Sequence, residues 1–235
     1  MRPFTWRNCS ADVYAMFHAP TVLAYIDEVV VPATLAIDNK IETLAQSAEG
    51  SAPFAKADME TLRSETMMAF ALAIQSLWER QIRDYIATCA TQLQLEECVR
   101  KDASAIQWDR VENAFLAARG ISIKEFPSYP LLRALHLLGN ICRHGDGPSV
   151  AKLRELHPEF WPNLTAPKVI SFIEPARPSA RLSVALDHLR NFGGAISDFW
   201  EDTDTIYLQS IEPKNEQIIS ELNRRRSSGR WFSNV

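Results

Sequence analysis

The stretch DMETLRSETMMAFALAIQSLWERQIRDYIATCATQLQL, residues 58–95, decides the fold class. Met59, Leu62, Thr66, Met67, Phe70, Ile74, Leu77 and Trp78 follow one another at three- and four-residue steps, and Ile82, Tyr85, Ile86 and Leu93 continue the stripe. That spacing lays apolar side chains along one face of an α-helix, whereas a strand needs alternation at every second residue. Asp58 stands where a helix N-cap belongs, and neither Gly nor Pro interrupts the chain between Asp58 and Arg119. An element of this length predicts the central helix of a bundle.

The flanking segments read the same way. Upstream, PTVLAYIDEVVVPATLAIDNKIETLAQ (20–46) carries Leu23, Ile26, Val30, Leu35, Ile37, Ile41 and Leu44 at helical spacing, with Pro32 expected to kink or divide it. Residues 49–53 then supply a break. Downstream, Asp109–Arg119 is a predicted helix closed by Gly120, at the place where a left-handed residue ends a helix. Residues 121–127 carry no clear pattern. Pro130 suits the first turn of a helix from Leu131 to about His144, packed against the central one. The Gly-Asp-Gly turn at 145–147 stops that helix, and Ser149 is positioned to cap another through Leu156. Residues 162–178 hold four prolines and read as a crossover or edge strand. Ser179 is expected to cap a helix from Arg181 to about Trp200, and a last helix covers about 216–225. The expectation is an all-α protein: a single helical domain, with the core bundle at about 21–160, the crossover at 162–178 and C-terminal helices at 179–226.

Composition agrees and excludes several classes. Across 235 residues, 46% are hydrophobic and 23% charged, the balance of a globular chain rather than a disordered one. Only eight glycines are present, too few for a turn-rich all-β fold, and no Gly-rich phosphate loop is among them. A net charge of −4 argues against bulk electrostatic capture of nucleic acid and leaves room for a local basic patch. Cys9, Cys89, Cys98 and Cys142 are scattered, without CxxC or Cys/His spacing for zinc, and read as thiols of a reducing compartment. Met67–Trp78, the most apolar stretch in this reading, is too short to span a bilayer, and residues 1–7 lack the apolar run of a signal peptide. The expectation is a cytoplasmic protein with no membrane association, no cofactor and no metal. Glu96 and Glu97 lack a histidine in register for a di-iron site. His18, His136 and His157 read as isolated, ordinary side chains. Glu79, Arg80, Arg83 and Asp84 form either a solvated helix face or a polar wall toward the 131–144 helix. Arg224, Arg225, Arg226, Arg230 and Trp231 read as a basic, frayed terminus with some capacity to touch RNA.

Chemistry concentrates at LHLLGNICRHGDGPS, residues 135–149. Asn140 and His144, four apart, share a helical face near the C-terminal end, where the macrodipole favours cations. Arg143 and Asp146 add opposite charges beside them. A histidine next to an arginine and a carboxylate suits proton transfer and phosphate binding. Asn140, His144 and Asp146 can equally form a structural cluster fixing the helix end.

Asn140-Ile141-Cys142-Arg143-His144-Gly145 resembles the asparagine-to-histidine part of the signature of HEPN-like helical proteins. It is closer still to the Asn-x-x-Lys/Arg-His-Gly-Asp-Gly-x-Ser segment of bacterial HEPN-like proteins. Leu77–Tyr85 resembles the helix that precedes the signature. The resemblance implies a helical bundle, a homodimer meeting at the signature faces, and metal-independent endoribonuclease activity in toxin or phage-defence systems, with an antitoxin or other protein partner. It assigns proton transfer to His144, with Asn140 as the signature's polar residue; Arg143, which does not map onto the signature arginine, is the candidate cation from the adjacent part of the helix. Departing from the pattern, Gly139 occupies the position of the signature arginine, which points toward a non-catalytic interaction or scaffold protein as the alternative. Arg181 and His188, seven residues apart, form a second candidate pair.

Overall fold

A computed structural model describes residues 6–162 and 182–231. Ten α-helices form among the described residues: α1 (Ser10–Ala15), α2 (His18–Tyr25), α3 (Val31–Ala45), α4 (Ala52–Gln92), α5 (Glu97–Ala103), α6 (Trp108–Arg119), α7 (Tyr129–His144), α8 (Pro148–Leu156), α9 (Leu186–Ser210) and α10 (Glu216–Ser227). No strand occurs among them, so the chain is all-α. The Pro-rich 163–178 segment, the Ser179 cap and Arg181 lie outside the described residues.

Several boundaries follow local chemistry. Gly120 (φ 70°) closes α6 and Gly145 (φ 69°) closes α7, both in the left-handed region that glycine enters without a Cβ clash. The long helix starts at Ala52, so Asp58 lies inside α4 rather than capping it. Pro148 opens α8 behind Gly147, which places Ser149 within the helix instead of at its cap. Asn215 caps α10 by accepting from the Ile218 amide at 2.9 Å.

Pro32 does not divide its helix. It lies at the start of α3, directly after a π-helical turn at Ile26–Val30. The wider turn moves the buried positions onto a four-residue step, Val22, Ile26, Val30, Thr34, and leaves Leu35 exposed. Thr34 accommodates its hydroxyl in this core position by donating to the Val30 carbonyl (2.8 Å). The continuous helical run 10–45 is long and apolar enough, by length and composition, to cross a membrane, which Met67–Trp78 inside α4 is not.

Two compact units interleave along the chain. The first comprises 1–23, 77–130 and 194–235. Its core is aromatic: Trp78, Tyr85, Phe115, Phe126, Phe199 and Trp200 are buried and meet mostly edge-on or tilted, with Phe126 and Phe199 centroids 4.6 Å apart. The Trp200 indole donates to Gln81 Oε1 (3.0 Å). Arg83 is not simply solvated. It donates to the carbonyls of Ala103 (2.8 Å) and Ala105 (2.6 Å), holding the end of α5 and the residue beyond it, while Arg80 and Asp84 are exposed.

The basic C-terminal segment is docked in this same unit rather than frayed through Trp231. Arg225 pairs with Asp204 (2.6 Å) and Glu221 (2.7 Å), Arg224 with Glu221 (2.6 Å), and Arg230 with Asp198 (2.9 Å) and Glu201. Trp231 packs on Phe126 at 4.8 Å between centroids.

The second unit comprises 24–76 and 131–193. Here α3 and the first half of α4 are tied by the Arg63–Asp38 ion pair and by Thr34 against the Met67 sulfur (3.6 Å). Against the same part of α4 lies α7, where Gly139 faces Gln75 so closely that a Cβ at 139 would stand 2.8 Å from the Gln75 side chain. Phe160 packs on His188 and Phe192, with centroids 4.4 and 6.3 Å away.

Candidate functional site

The last two turns of α7 carry the candidate residues. Leu132, Leu135, Leu138, Gly139 and Ile141 point into the second unit, which leaves His136, Asn140 and Arg143 along the opposite flank at three- and four-residue spacing. The Asn140 amide nitrogen donates to His136 Nε2 (3.1 Å). Arg143 in turn donates through Nη2 to Asn140 Oδ1 (3.3 Å) and through Nε to the Gly139 carbonyl (3.2 Å). The result is a polar ladder down one side of the helix.

His144 stands exposed on the final residue of α7, beside the exposed Arg143. Its imidazole makes no hydrogen bond or ion pair among the described residues. Asp146 is exposed in the turn that follows. Asn140 is therefore engaged by the histidine four residues before it, not by the one four residues after it. His136, read from sequence as an isolated side chain, belongs to the constellation. The spacing of 136 to 140 equals that of 140 to 144, so helical periodicity alone could have found it.

Chemically, the arrangement offers a guanidinium oriented by its own helix and an imidazole open to solvent one residue further on. The two suit contact with a phosphodiester and transfer of a proton next to it. Burial pushes the Cys142 thiol up to about 11. In the second candidate pair, His188 accepts from the Ala185 amide through Nδ1 (3.1 Å) and packs on Phe160, and burial lowers its pKa. Among the described residues no group of three or more His, Cys, Asp or Glu side chains could hold a metal ion.

A second constellation, in the first unit, escaped the sequence reading. Arg119, the last residue of α6, is fully buried and pairs with the equally buried Asp12 at 2.8 Å. The same guanidinium reaches the Cys89 sulfur (2.7 Å), the Cys9 sulfur (3.3 Å) and the Arg7 carbonyl (2.8 Å), and lies 4.3 Å above the Trp6 ring. Tyr85 completes the group by donating its hydroxyl to Asp12 (2.9 Å).

Comparison with known proteins adds no relative: no family model, no curated protein and no solved structure matches the chain.

Proposed function

We propose that this chain is an RNA-directed, HEPN-like helical protein of a bacterial toxin or phage-defence system, working in the cytoplasm as a homodimer with a protein partner. The polar ladder His136–Asn140–Arg143, ending at the exposed His144, carries this reading. Arg143 is the phosphate contact. His144 removes the proton from a ribose 2′-hydroxyl as that oxygen attacks the adjacent phosphorus. The bond from phosphorus to the next nucleotide's 5′-oxygen breaks with that oxygen taking a proton from water, and Arg143 stabilises the added negative charge without a metal ion.

A second reading, a non-cleaving RNA-binding or scaffold protein, draws on the surroundings of Gly139. The position that resembles the signature arginine faces the buried Gln75 side chain and has no room even for a methyl group unless that side chain moves. The chain would then contact RNA without hydrolysing it.

Incubation of purified protein with total RNA in EDTA, alongside filter binding at graded salt, separates these readings. Cleavage lost in His144→Ala, with unchanged circular dichroism, supports the nuclease. Binding without cleavage, weakened by Arg143→Ala, supports the second reading. Wild-type protein that neither binds nor cuts RNA overturns the RNA-directed reading and leaves only the interaction or scaffold protein. Sedimentation at the monomer mass at micromolar concentrations would refute the dimer.

A further inference from the structure

The geometry points to Cys9 and Cys89 as a thiol redox site, in which Cys9 is oxidised by a hydroperoxide and Cys89 resolves the product into a disulfide. The site lies in the unit that does not contain α7 and is independent of the RNA reading.

Three observations carry this. First, the two sulfurs lie 3.6 Å apart although the residues are 80 positions apart in sequence. An approach of roughly 1.5 Å reaches disulfide bond length. Second, the two thiols differ in access: Cys9 is half-buried at the start of α1, and Cys89 is buried in α4. An oxidant can reach the first and not the second. Third, one guanidinium nitrogen, Arg119 Nη2, touches both sulfurs. It is held there by Asp12 and cannot be deprotonated, so a fixed positive charge serves whichever sulfur is anionic.

The protonation states fit. The hydrogen bond between the two thiols and the Arg119 charge bring Cys9 down to about 6, against the opposing effects of burial and Asp12. Cys89 is pushed strongly upward by burial and by its bond to Cys9. The other two thiols lack this environment. Cys98 is exposed with Glu96 beside it, which raises its pKa, and Cys142 is half-buried, with Arg143 too weak an influence to offset its burial.

The reaction balances without a cofactor. The Cys9 thiolate attacks one peroxide oxygen, the O–O bond breaks, and the departing alkoxide or hydroxide takes a proton from water, leaving a sulfenic acid on Cys9. Cys9 is then neutral, so its charge no longer opposes ionisation of Cys89, and Arg119, 2.7 Å from the Cys89 sulfur, takes up the negative charge that develops there as its proton departs. The Cys89 sulfur attacks the Cys9 sulfur, the S–OH bond breaks, and hydroxide leaves with the Cys89 proton as water. A dithiol reductant reverses the product.

Hydrogen peroxide added to the reduced full-length protein, followed by peptide mapping under non-reducing conditions, tests the site in the unaltered chain. A Cys9–Cys89 disulfide that dithiothreitol reverses is the expected product. In Cys89→Ser, dimedone should trap the sulfenic acid on Cys9 faster than on Cys98 by about fivefold or more. Oxidation that falls on Cys98 while Cys9 and Cys89 remain reduced overturns the proposal. So does wild-type Cys9 that proceeds to sulfinic acid without forming the disulfide, because Cys89 would then not be resolving it.

Discussion

Replacing Arg119 with methionine keeps most of the side-chain length and removes the charge. The guanidinium has no exposed surface, donates to Asp12, Arg7 and both sulfurs, and lies over the Trp6 and Tyr85 rings. Without it, the Asp12 carboxylate keeps the Tyr85 hydroxyl and the Cys9 amide as hydrogen-bond donors but, having no exposed surface of its own, loses its counter-charge. Breaking one side of a buried pair costs about 3–5 kcal/mol. For a chain of this size that lowers the melting temperature by on the order of 10 °C. Calorimetry of Arg119→Met and of the double variant with Asp12→Asn measures the effect. The reasoning requires the double variant to be more stable than Arg119→Met alone, since the orphaned charge is then gone. A loss below about 1 kcal/mol in Arg119→Met, or a double variant that simply sums its parts, would refute it.

Other outcomes follow from the same structure. Phe199→Ala empties a position enclosed by Trp78, Phe115, Phe126 and Trp200 and should cost about 3–5 kcal/mol in urea denaturation; a loss under 1 kcal/mol would contradict the packing. Gly139→Arg, which puts an arginine where the HEPN-like signature has one, should destabilise by about 3 kcal/mol or more against Gln75; a variant as stable as wild type would reverse the reading of that position. Burial holds the Asp202 carboxyl up at about 7, with Asp198 and Glu201 adding to this and Arg230 and Arg225 opposing it. A raised folded-state pKa means that this contribution to stability is complete below about pH 4 and is lost as pH rises through 7. Asp202→Asn should therefore lose less stability than wild type between pH 5 and pH 8, and an unchanged loss would refute the assignment. Cys9 acts with the opposite sign, gaining stability above its folded value of about 6, so its alkylation rate should titrate near pH 6. A midpoint near 8.5 would show an ordinary thiol.

The helices were legible because the signals that make them are local. The stripe from Met59 to Leu93 and the glycines at 120 and 145 act within a turn or two of their own positions, and the structure places α4, α6 and α7 accordingly. The π turn at 26–30 has no signal in a scan at a fixed period, so Leu35 was read as core where Thr34 is buried. Short helices α1 and α5 carry too few periods to register. At the candidate site, the helical face of Asn140 was readable, but periodicity does not say whether its amide turns toward residue 136 or residue 144. The Arg119–Asp12 pair joins positions 107 residues apart. Composition would have placed each in solvent, and only the three-dimensional closure of the first unit brings them together. Arg225 of α10 was misread for the same reason, its partner Asp204 on α9 standing 21 residues upstream.

The interleaving of the two units sets an order on their completion during synthesis. Every segment of the second unit has been translated by residue 193, whereas the first still waits for 194–235. Until Phe199 and Trp200 are made, Trp78 and Phe115 lack their aromatic neighbours from α9. The nascent chain must therefore carry an unfinished aromatic cluster while its other half can already close. A ribosome stalled shortly before residue 199 would display that cluster to chaperones, and the released chain, with Phe199 and Trp200 in place, would not.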